Sequence, residues 1–537
     1  MCGIIGVVGT HEAARESFLG LITLQHRGQD AAGILSMDFA SASEIHVSRN
    51  LGLVEKIFSK EAIESLKGAF AVGHTRYSTA GQGDLAEVQP LLINYPYGIG
   101  IAHNGNIVNY LELKDRLQRE HRARCLTGSD TETILNWIAH NLKGTAFDEI
   151  AAAVESVFEN VKGSYSIVGL IADAGLIAFR DPHGIRPLVL GRKAVEGGVA
   201  AGAPGGVAAR APGGATAYMV ASETSPLSFL GYEFVRDVEP GELLFIDREF
   251  KLHSRVLRKA ATAPHDMRRK EQGARPCMFE WVYFAGAESV IEGAPVYGTR
   301  LELGRSLGRI LKEKIARGEI EADLVTPVPD TARPAATAIA EELGIPYRDV
   351  LIKNRYITRT FILGSQSKRE KAVDLKLHPI MSEIRGKCVV LVDDSIVRGT
   401  TSRKIVQLVR KAGARKVVFV STCPPIRFPC FYGIDFPDRD ELIAGDASTG
   451  APSGKPETAL EKRVAGEIGA DAVIYQTMEG LKQSLARQSG GRVARPCLAC
   501  LEGEYPTDVS EAARFTEQRK SERREGERRA NGVAHGE

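Results

Sequence analysis

Two carboxylates at the end of a hydrophobic run are the first residues in this chain whose types and spacing could do chemistry. Cys388 to Ser402 reads C-V-V-L-V-D-D-S-I-V-R-G-T-T-S. A continuous valine-rich run that stops at Asp393 and Asp394 and passes into a small-residue turn predicts a buried parallel strand leading into a ligand-binding loop. Ile405, Leu408, Val409 and Ala412 then recur at helical spacing, so a helix N-terminus would aim backbone N–H groups at an anion. Ser395, Gly399, Thr400, Thr401 and Ser402 add hydroxyls and small side chains that suit a monophosphate. The two aspartates could hold ribose hydroxyls, directly or through a magnesium ion. Taken as residues alone, the stretch also fits a polar strand end that caps the next helix.

A second chemistry is possible at the other end of the chain. Cys2 stands between small residues and the strand-like run Ile4 to Val8. Removal of Met1 would place an α-amino group, with an ordinary pKa of roughly 7.7–8.0, beside the thiol. That amine can act as the local base, so a terminal cysteine is a nucleophile that needs no histidine. Behind it come L-Q-H-R-G-Q-D-A-A-G-I (Leu24 to Ile34), G-H-T-R-Y-S-T-A-G (Gly73 to Gly81), I-A-H-N-G-N-I (Ile101 to Ile107) and T-G-S-D-T-E (Thr127 to Glu132). Each mixes glycine with hydrogen-bonding side chains, as loops around a polar substrate do. Each also fits plain turn chemistry, with Asn104-Gly105 a hairpin signal.

The elements that must position these residues follow from periodicity. Val417 to Val420 predicts a second parallel strand after the helix that carries Ile405 to Ala412. Val296 to Ala316 has helical spacing, and Leu324 to Pro329 reads as another strand. The chain has 537 residues, too many for one core, so at least two large domains are expected. Lys and Arg number 69 against 67 Asp and Glu, so no basic field points to nucleic acid. No apolar run approaches the roughly 18 residues that span a bilayer. The amino terminus has no basic leader, which predicts a cytoplasmic protein. In that compartment the eight cysteines are not four disulfides. Cys277, Cys430 and the C-x-x-C pair Cys497 and Cys500 could form a four-sulfur site. Spacing does not separate zinc from iron, or either from a metal-free pair with two core thiols. Cys125, Cys388 and Cys423 read as ordinary buried or partly buried thiols. Lys193 to Ala217, nearly all small residues, is expected as a surface insertion between strands.

The 388–402 stretch resembles the PRPP (phosphoribosyl pyrophosphate) loop of the phosphoribosyltransferases. The amino-terminal motifs as a set resemble the class II, N-terminal-nucleophile glutamine amidotransferases. Together, with F-R-D-P-H-G-I-R-P at 179–187 and K-N-R-Y-I-T-R-T-F-I at 353–362, the chain is similar to the glutamine PRPP amidotransferases. The resemblance implies an α+β and α/β protein: an N-terminal-nucleophile αββα glutaminase sandwich at 1–255, a type I phosphoribosyltransferase α/β domain with the cysteine cluster at 256–509, and a charged tail at 510–537. It implies that Cys2 attacks the glutamine carboxamide, that Asn104 and the Gly105 N–H hold the oxyanion, and that Arg27, Arg76 and Asp130 bind or organise the glutamine. PRPP would be bound by Asp393, Asp394, Ser395, Arg398, Gly399, Thr400 and Thr401, with Lys353, Arg355 and Arg359 from a mobile loop, and Mg2+ at Asp393 and Asp394.

In one branch of these amidotransferases, cysteines in the contexts of Cys277, Cys430, Cys497 and Cys500 ligate a [4Fe-4S] cluster. The implied activity is release of ammonia from glutamine and displacement of pyrophosphate from C1 of PRPP, giving 5-phosphoribosylamine at the start of purine synthesis. A homotetramer inhibited by purine nucleotides is also implied, with neither nucleic acid nor membrane as a partner. The chain departs from the family pattern at Gly286 and Ala287, Ala332, Thr358 and Asp374. Two rivals are a glutaminase serving another acceptor and a PRPP-sensing regulator without catalysis. The PRPP loop argues against the first, and Cys2 with Asn104 against the second.

Overall fold

Six residues at the amino end, β1 (Gly3–Val8), organise the first half of the molecule. Successive side chains of a strand face opposite ways, and here both faces are apolar. Ile4 and Val8 share a buried cluster with Val168, Leu170 and Leu176, while Ile5 and Val7 share one with Ala13, Leu21 and Leu227. Each such side chain, fully withdrawn from water, contributes about 1.5–3 kcal/mol. Gly6 lies on the first of these faces, where a Cβ would come within 2.5 Å of Val168. A larger residue there would force the layers apart.

The computed structural model describes residues 2–39, 44–77, 85–195, 215–258, 274–354, 377–434, 436, 438–445 and 457–514. Arg355, Arg359, Thr358, Asp374, most of the 193–217 stretch and most of the tail from 510 lie outside these. The chain forms two units: Met1–Pro276 with Phe431–Ile434 and Tyr505–Glu537, and Cys277–Cys430 with Asp435–Glu504.

Among the described residues the first unit holds two antiparallel sheets. One runs β11 (Glu233–Asp237), β9 (Val189–Val195), β10 (Ala215–Ala221), β1, β4 (Phe70–Arg76), β2 (Ala31–Asp38), β3 (Glu44–Leu51). The other runs β13 (Leu252–Val256), β12 (Glu242–Asp247), β8 (Gly175–Arg180), β7 (Gly163–Ile171), β6 (Ile99–Ile107), β5 (Leu91–Ile93). The sheets share one apolar cluster. Helices Ala13–Thr23 and Ser225–Leu230 pack on the outer face of the first. Helices Asp130–Asn141 and Phe147–Asn160 pack on the outer face of the second. This is the αββα sandwich expected.

The hairpin reading of Asn104-Gly105 is overturned. Both residues lie inside β6, Asn104 opposite Ser166 and Gly105 opposite Tyr165 on β7. Gly105 has φ +153, and a Cβ on it would stand 1.9 Å from the Ser164 carbonyl oxygen. Close backbone approach, rather than a turn, is what requires the glycine.

In the second unit, a short ribbon of β14 (Val290–Ile291) and β15 (Ala294–Pro295) precedes the helix Val296–Ala316, which spans the stretch expected from its periodicity. The main sheet is parallel, in the order β16 (Leu324–Pro327), β19 (Cys388–Asp393), β20 (Lys416–Ser421), β21 (Ala472–Tyr475). A separate ribbon pairs β17 (Leu351–Lys353) with β18 (Leu377–Pro379). Val390 and Val392 pack with Leu307, Leu311 and Ile339 on one side. Val389 and Leu391 pack with Ile405, Val409 and Val464 on the other. Helices on both faces explain why β19 reads as an unbroken apolar run instead of an alternating one. Among the described residues no helix is long and apolar enough to cross a membrane.

Candidate active site

In the first unit the expected residues converge where β1, β4 and β6 carry them. Cys2 is half-buried at the start of β1. Its carbonyl accepts from Arg27 Nε at 3.0 Å. Arg27 is itself buried, and its guanidinium also donates to Glu223, a carboxylate with no solvent exposure. Glu223 accepts from His26 Nε2 as well, at 2.9 Å. Burial works against ionising Glu223, but Arg27 and His26 outweigh it and hold the carboxyl well below its ordinary value.

Sequence reasoning did not assign Glu223 a role. Its signal was a lone acidic residue where an apolar strand ends, in M-V-A-S-E-T. The effect of the cluster is to brace the Cys2 backbone from behind.

Facing this are polar atoms that the protein leaves unsatisfied. Asn104 is completely buried, yet among the described residues neither Nδ2 nor Oδ1 has a hydrogen-bond partner. The same is true of both ring nitrogens of His74, of His103 Nε2 and of Arg76 Nη1. An unpaired buried polar group costs about 1–3 kcal/mol, so several in one place mark where a polar ligand would be received. Burial pulls His103 toward neutrality, but Asp130 and the nearby Cys2 thiol outweigh it and raise its pKa. Burial and the positive charges of Arg76 and His103 keep His74 well below its ordinary value.

Asp130, the first residue of its helix, accepts from Ile107 N at 3.1 Å and lies 3.7 Å from His103 Nδ1. Burial opposes its ionisation, and His103 together with the Ile107 N–H reverses the balance, lowering its pKa. Glu132 holds the preceding loop in place, accepting from Leu126 N and Thr127 N at 2.7 Å each. Arg76, at the end of β4, pairs with Glu87 at 2.8 Å, another partner the motifs did not single out. Gln89 links the elements: its Oε1 accepts from His103 N at 2.7 Å, and its Nε2 donates to Thr131 Oγ1 at 2.9 Å.

The second unit presents its loop at the carboxyl ends of the parallel strands, the usual ligand position in such sheets. Asp393 ends β19. Asp394 accepts from Thr331 Oγ1 at 2.9 Å and from Ser395 Oγ at 2.8 Å. The neighbouring strand secures the backbone, with Thr422 N donating to Asp393 O at 3.0 Å and Cys423 N to Asp394 O at 2.9 Å. Burial and the adjacent Asp394 push Asp393 well above its ordinary pKa. Burial also raises Asp394, against its hydrogen bonds from Ser395 and Thr331.

Gly399, at φ +71, leads into the helix Thr400–Lys411, and a Cβ on it would meet Ile443 at 2.3 Å. Thr400 and Thr401 are exposed in the first turn. Arg398 pairs with Glu441 at 3.0 Å, and Lys353 with Asp330 at 2.7 Å, both at the surface. Neither cation is engaged with the aspartate pair.

The other three cysteines singled out by spacing lie around Cys500. Burial pushes the Cys500 thiol far up, and Cys430, Cys423, Cys277 and Cys497 push the same way. Cys277 and Cys497 form a parallel backbone bridge, and Arg427 N and Phe428 N each donate to Cys500 O at 3.0 Å. Cys423, fully buried, is a fifth thiol in this neighbourhood that spacing did not place there. Among the described residues no three His, Cys, Asp or Glu side chains stand close enough to hold a single metal ion. A four-iron cluster is wider than one ion, so its thiolates stand farther apart.

Comparison with known proteins gives the context. Residues 74–203 match a glutamine amidotransferase domain, and residues 299–426 a phosphoribosyl transferase domain. The chain is 39% identical over 521 residues to the amidophosphoribosyltransferase of Pseudomonas aeruginosa, covering 95% of this chain and 94% of that one. It is 40% identical over 517 residues to the amidophosphoribosyltransferase of Methanocaldococcus jannaschii, covering 95% and 98%. A solved glutamine PRPP amidotransferase from B. subtilis, complexed with ADP and GMP, superposes with a TM-score of 0.76 at 36% identity, covering 95% of this chain and 98% of that one.

Proposed function

The chain belongs to the amidophosphoribosyltransferase family, and from that premise we propose how its residues carry the reaction. The enzyme hydrolyses glutamine to glutamate and ammonia. It uses the ammonia to displace pyrophosphate from C1 of PRPP, forming 5-phosphoribosylamine in the first committed step of purine synthesis.

In the proposed glutaminase half, Cys2 Sγ bonds to the carboxamide carbon while its proton passes to the α-amino group exposed by loss of Met1. The carbonyl π pair moves to oxygen, which accepts from Asn104 Nδ2 and the Gly105 N–H. Collapse expels the amide nitrogen, which takes up that proton and leaves as ammonia. Water then hydrolyses the thioester, giving glutamate and the free thiol. Arg76 exchanges Glu87 for the substrate α-carboxylate, which a planar guanidinium fork suits. Asp130 takes the α-ammonium, and Arg27 braces Cys2. The single observation that carries this reading is the wholly buried Asn104 amide beside Gly105 on β6, unpartnered among the described residues.

In the transferase half, the turn Ser395 to Thr401 receives the 5-phosphate at the helix N-terminus. Asp393 and Asp394 accept from the ribose hydroxyls. Lys353, Arg355, Arg359 and Arg398 supply positive charge for phosphates, Lys353 and Arg398 leaving Asp330 and Glu441 to do so. The raised pKa values of Asp393 and Asp394 suit a pair awaiting a cation. Magnesium, when bound there, neutralises charge on the pyrophosphate leaving group. Ammonia must reach C1 without meeting bulk water, which would protonate it to a non-nucleophile.

The donor set of Cys277, Cys430, Cys497 and Cys500 fits a [4Fe-4S] cluster. The thiols are mostly buried and crowd around one of their number, Cys500, whose own ionisation burial opposes. When bound, the cluster supplies a structural tie. The B. subtilis relative was solved with ADP and GMP, which supports purine nucleotides as inhibitors here. A homotetramer and a cytoplasmic location complete the proposal.

The test is Cys2→Ala. Production of 5-phosphoribosylamine from glutamine should vanish while production from added ammonia persists, and retention of glutamine use would refute the assignment.

A further inference from the structure

Four residues from far down the chain, Phe431–Ile434, belong to the first unit, and nothing in the reaction so far uses them. They lie against the strand pair that carries Asn104 and Gly105. Asn106 Nδ2 donates to Phe431 O at 2.9 Å. Ser164 Oγ and Arg186 Nε each donate to Tyr432 O at 3.0 Å. Both Ser164 and Arg186 are wholly buried, so a charge-assisted bond in a dry setting fixes that carbonyl. The Tyr432 hydroxyl is held in turn, accepting from Thr507 N at 2.9 Å.

The next residue makes the closest approach. Gly433 has φ +95, and a Cβ on it would come within 2.9 Å of Gly105 O and 3.1 Å of Gly105 C. Gly105 is therefore gripped from two sides, by the Ser164 carbonyl within the sheet and by Gly433 outside it. The position of the Gly105 N–H depends on this packing, because its carbonyl and its N–H sit in successive peptide planes joined at one Cα, and pushing the whole residue away from Gly433 carries the N–H with it.

We propose that Phe431–Ile434 is a positioning strap for the oxyanion site, with Gly433 setting the position of the Gly105 N–H. The strap touches no reacting atom and acts through Gly105. The proposal rests on the glutaminase reading above and adds to it residues that lie outside the matched amidotransferase stretch 74–203.

The test compares Gly433→Ala with Gly231→Ala in the full-length protein. Gly231 is also left-handed, φ +74, but has open space where its Cβ would go. It therefore reports backbone strain without the contact. Because losing an oxyanion donor costs about 10²–10³ in kcat, a displaced donor should lower kcat for glutamine hydrolysis by about tenfold or more, with KM within about twofold. Affinity for glutamate γ-semialdehyde, whose adduct with the thiol develops the same oxyanion, should fall by the same factor. Affinity for glutamate and ammonia-dependent synthesis should hold. Gly231→Ala should change none of these.

Unchanged kcat in Gly433→Ala, or a fall in kcat with no loss of semialdehyde affinity, would overturn the proposal. Should Gly433→Ala not fold, Asn106→Ala removes only the bond to Phe431, and the same paired loss is expected, several-fold in size; its absence is equally decisive. A wild-type protein with no Cys2-dependent glutamine hydrolysis would instead refute the function itself.

Discussion

Replacing Glu223 by Gln keeps its shape and removes its charge, leaving Arg27 buried beside a neutral amide. The Arg27 and Glu223 side chains both have zero exposure, while His26 is 35% exposed. Breaking a buried pair by removing one partner costs about 3–5 kcal/mol. For a unit as large as the first, a shift of about 1.5 °C per kcal/mol makes that roughly 5–8 °C in melting temperature.

The pH dependence has a definite sign. Glu223 is held below its ordinary value of 4.5 in the folded chain, so the unfolded chain binds the proton first as pH falls. The stabilisation is fully present above about 4.5 and lost as pH drops toward the folded value. Glu223→Gln should be less stable at pH 7 and show a shallower acid-side decline. Hydrogen exchange at β1, followed from pH 6 to 3 alongside thermal melts, reads the first unit separately from the second. Because Arg27 also holds the Cys2 carbonyl, glutamine hydrolysis should drop by tenfold or more, an increase of about 1.4 kcal/mol in the barrier. Ammonia-dependent synthesis should remain. A melting shift below about 2 °C with an unchanged acid slope would show that the pair contributes no more than a surface salt bridge, and the bracing argument would fail.

Two further outcomes are expected. Purified protein should be brown and contain iron and acid-labile sulfide. Cys500→Ser should lose both while Cys423→Ser keeps them, and zinc or no metal in the wild type would refute the cluster. At the other site, the Asp393 and Asp394 pKa values are raised above 3.8. Stability from the protonated pair is therefore present below that value and lost as pH rises through the folded values. Asp394→Asn removes one of two repelling charges, so thermal stability at pH 7 should hold or rise while the KM for PRPP increases about tenfold or more; lower stability with an unchanged KM would contradict the assignment.

The transferase strand, the helix Val296–Ala316 and the loop after Asp394 were legible in the sequence because their signals are local. A run of Val389 to Val392 ended by charge can be satisfied only by a strand covered on both faces, whatever covers it. Periodicity in Ile405 and Val409 likewise needs no knowledge of the partner. The four-sulfur grouping was legible only as a possibility, since spacing brings Cys497 next to Cys500 but leaves Cys277 and Cys430 free to lie anywhere.

The rest depended on pairings that no stretch of sequence encodes by itself. Asn104-Gly105 also fits a turn by its residue types, and only the register of β6 against β7 places it in a strand with Ser164 pressed beneath Gly105. Glu223 meets Arg27 across 196 positions of chain, and Gly433 reaches Gly105 across more than three hundred. Residue type and spacing thus determined which chemistries the chain could perform and which strands and helices would bear them. The tertiary fold decided which buried polar atoms were paired and which were left open to a ligand, because that balance is struck among groups brought together only once the layers have packed.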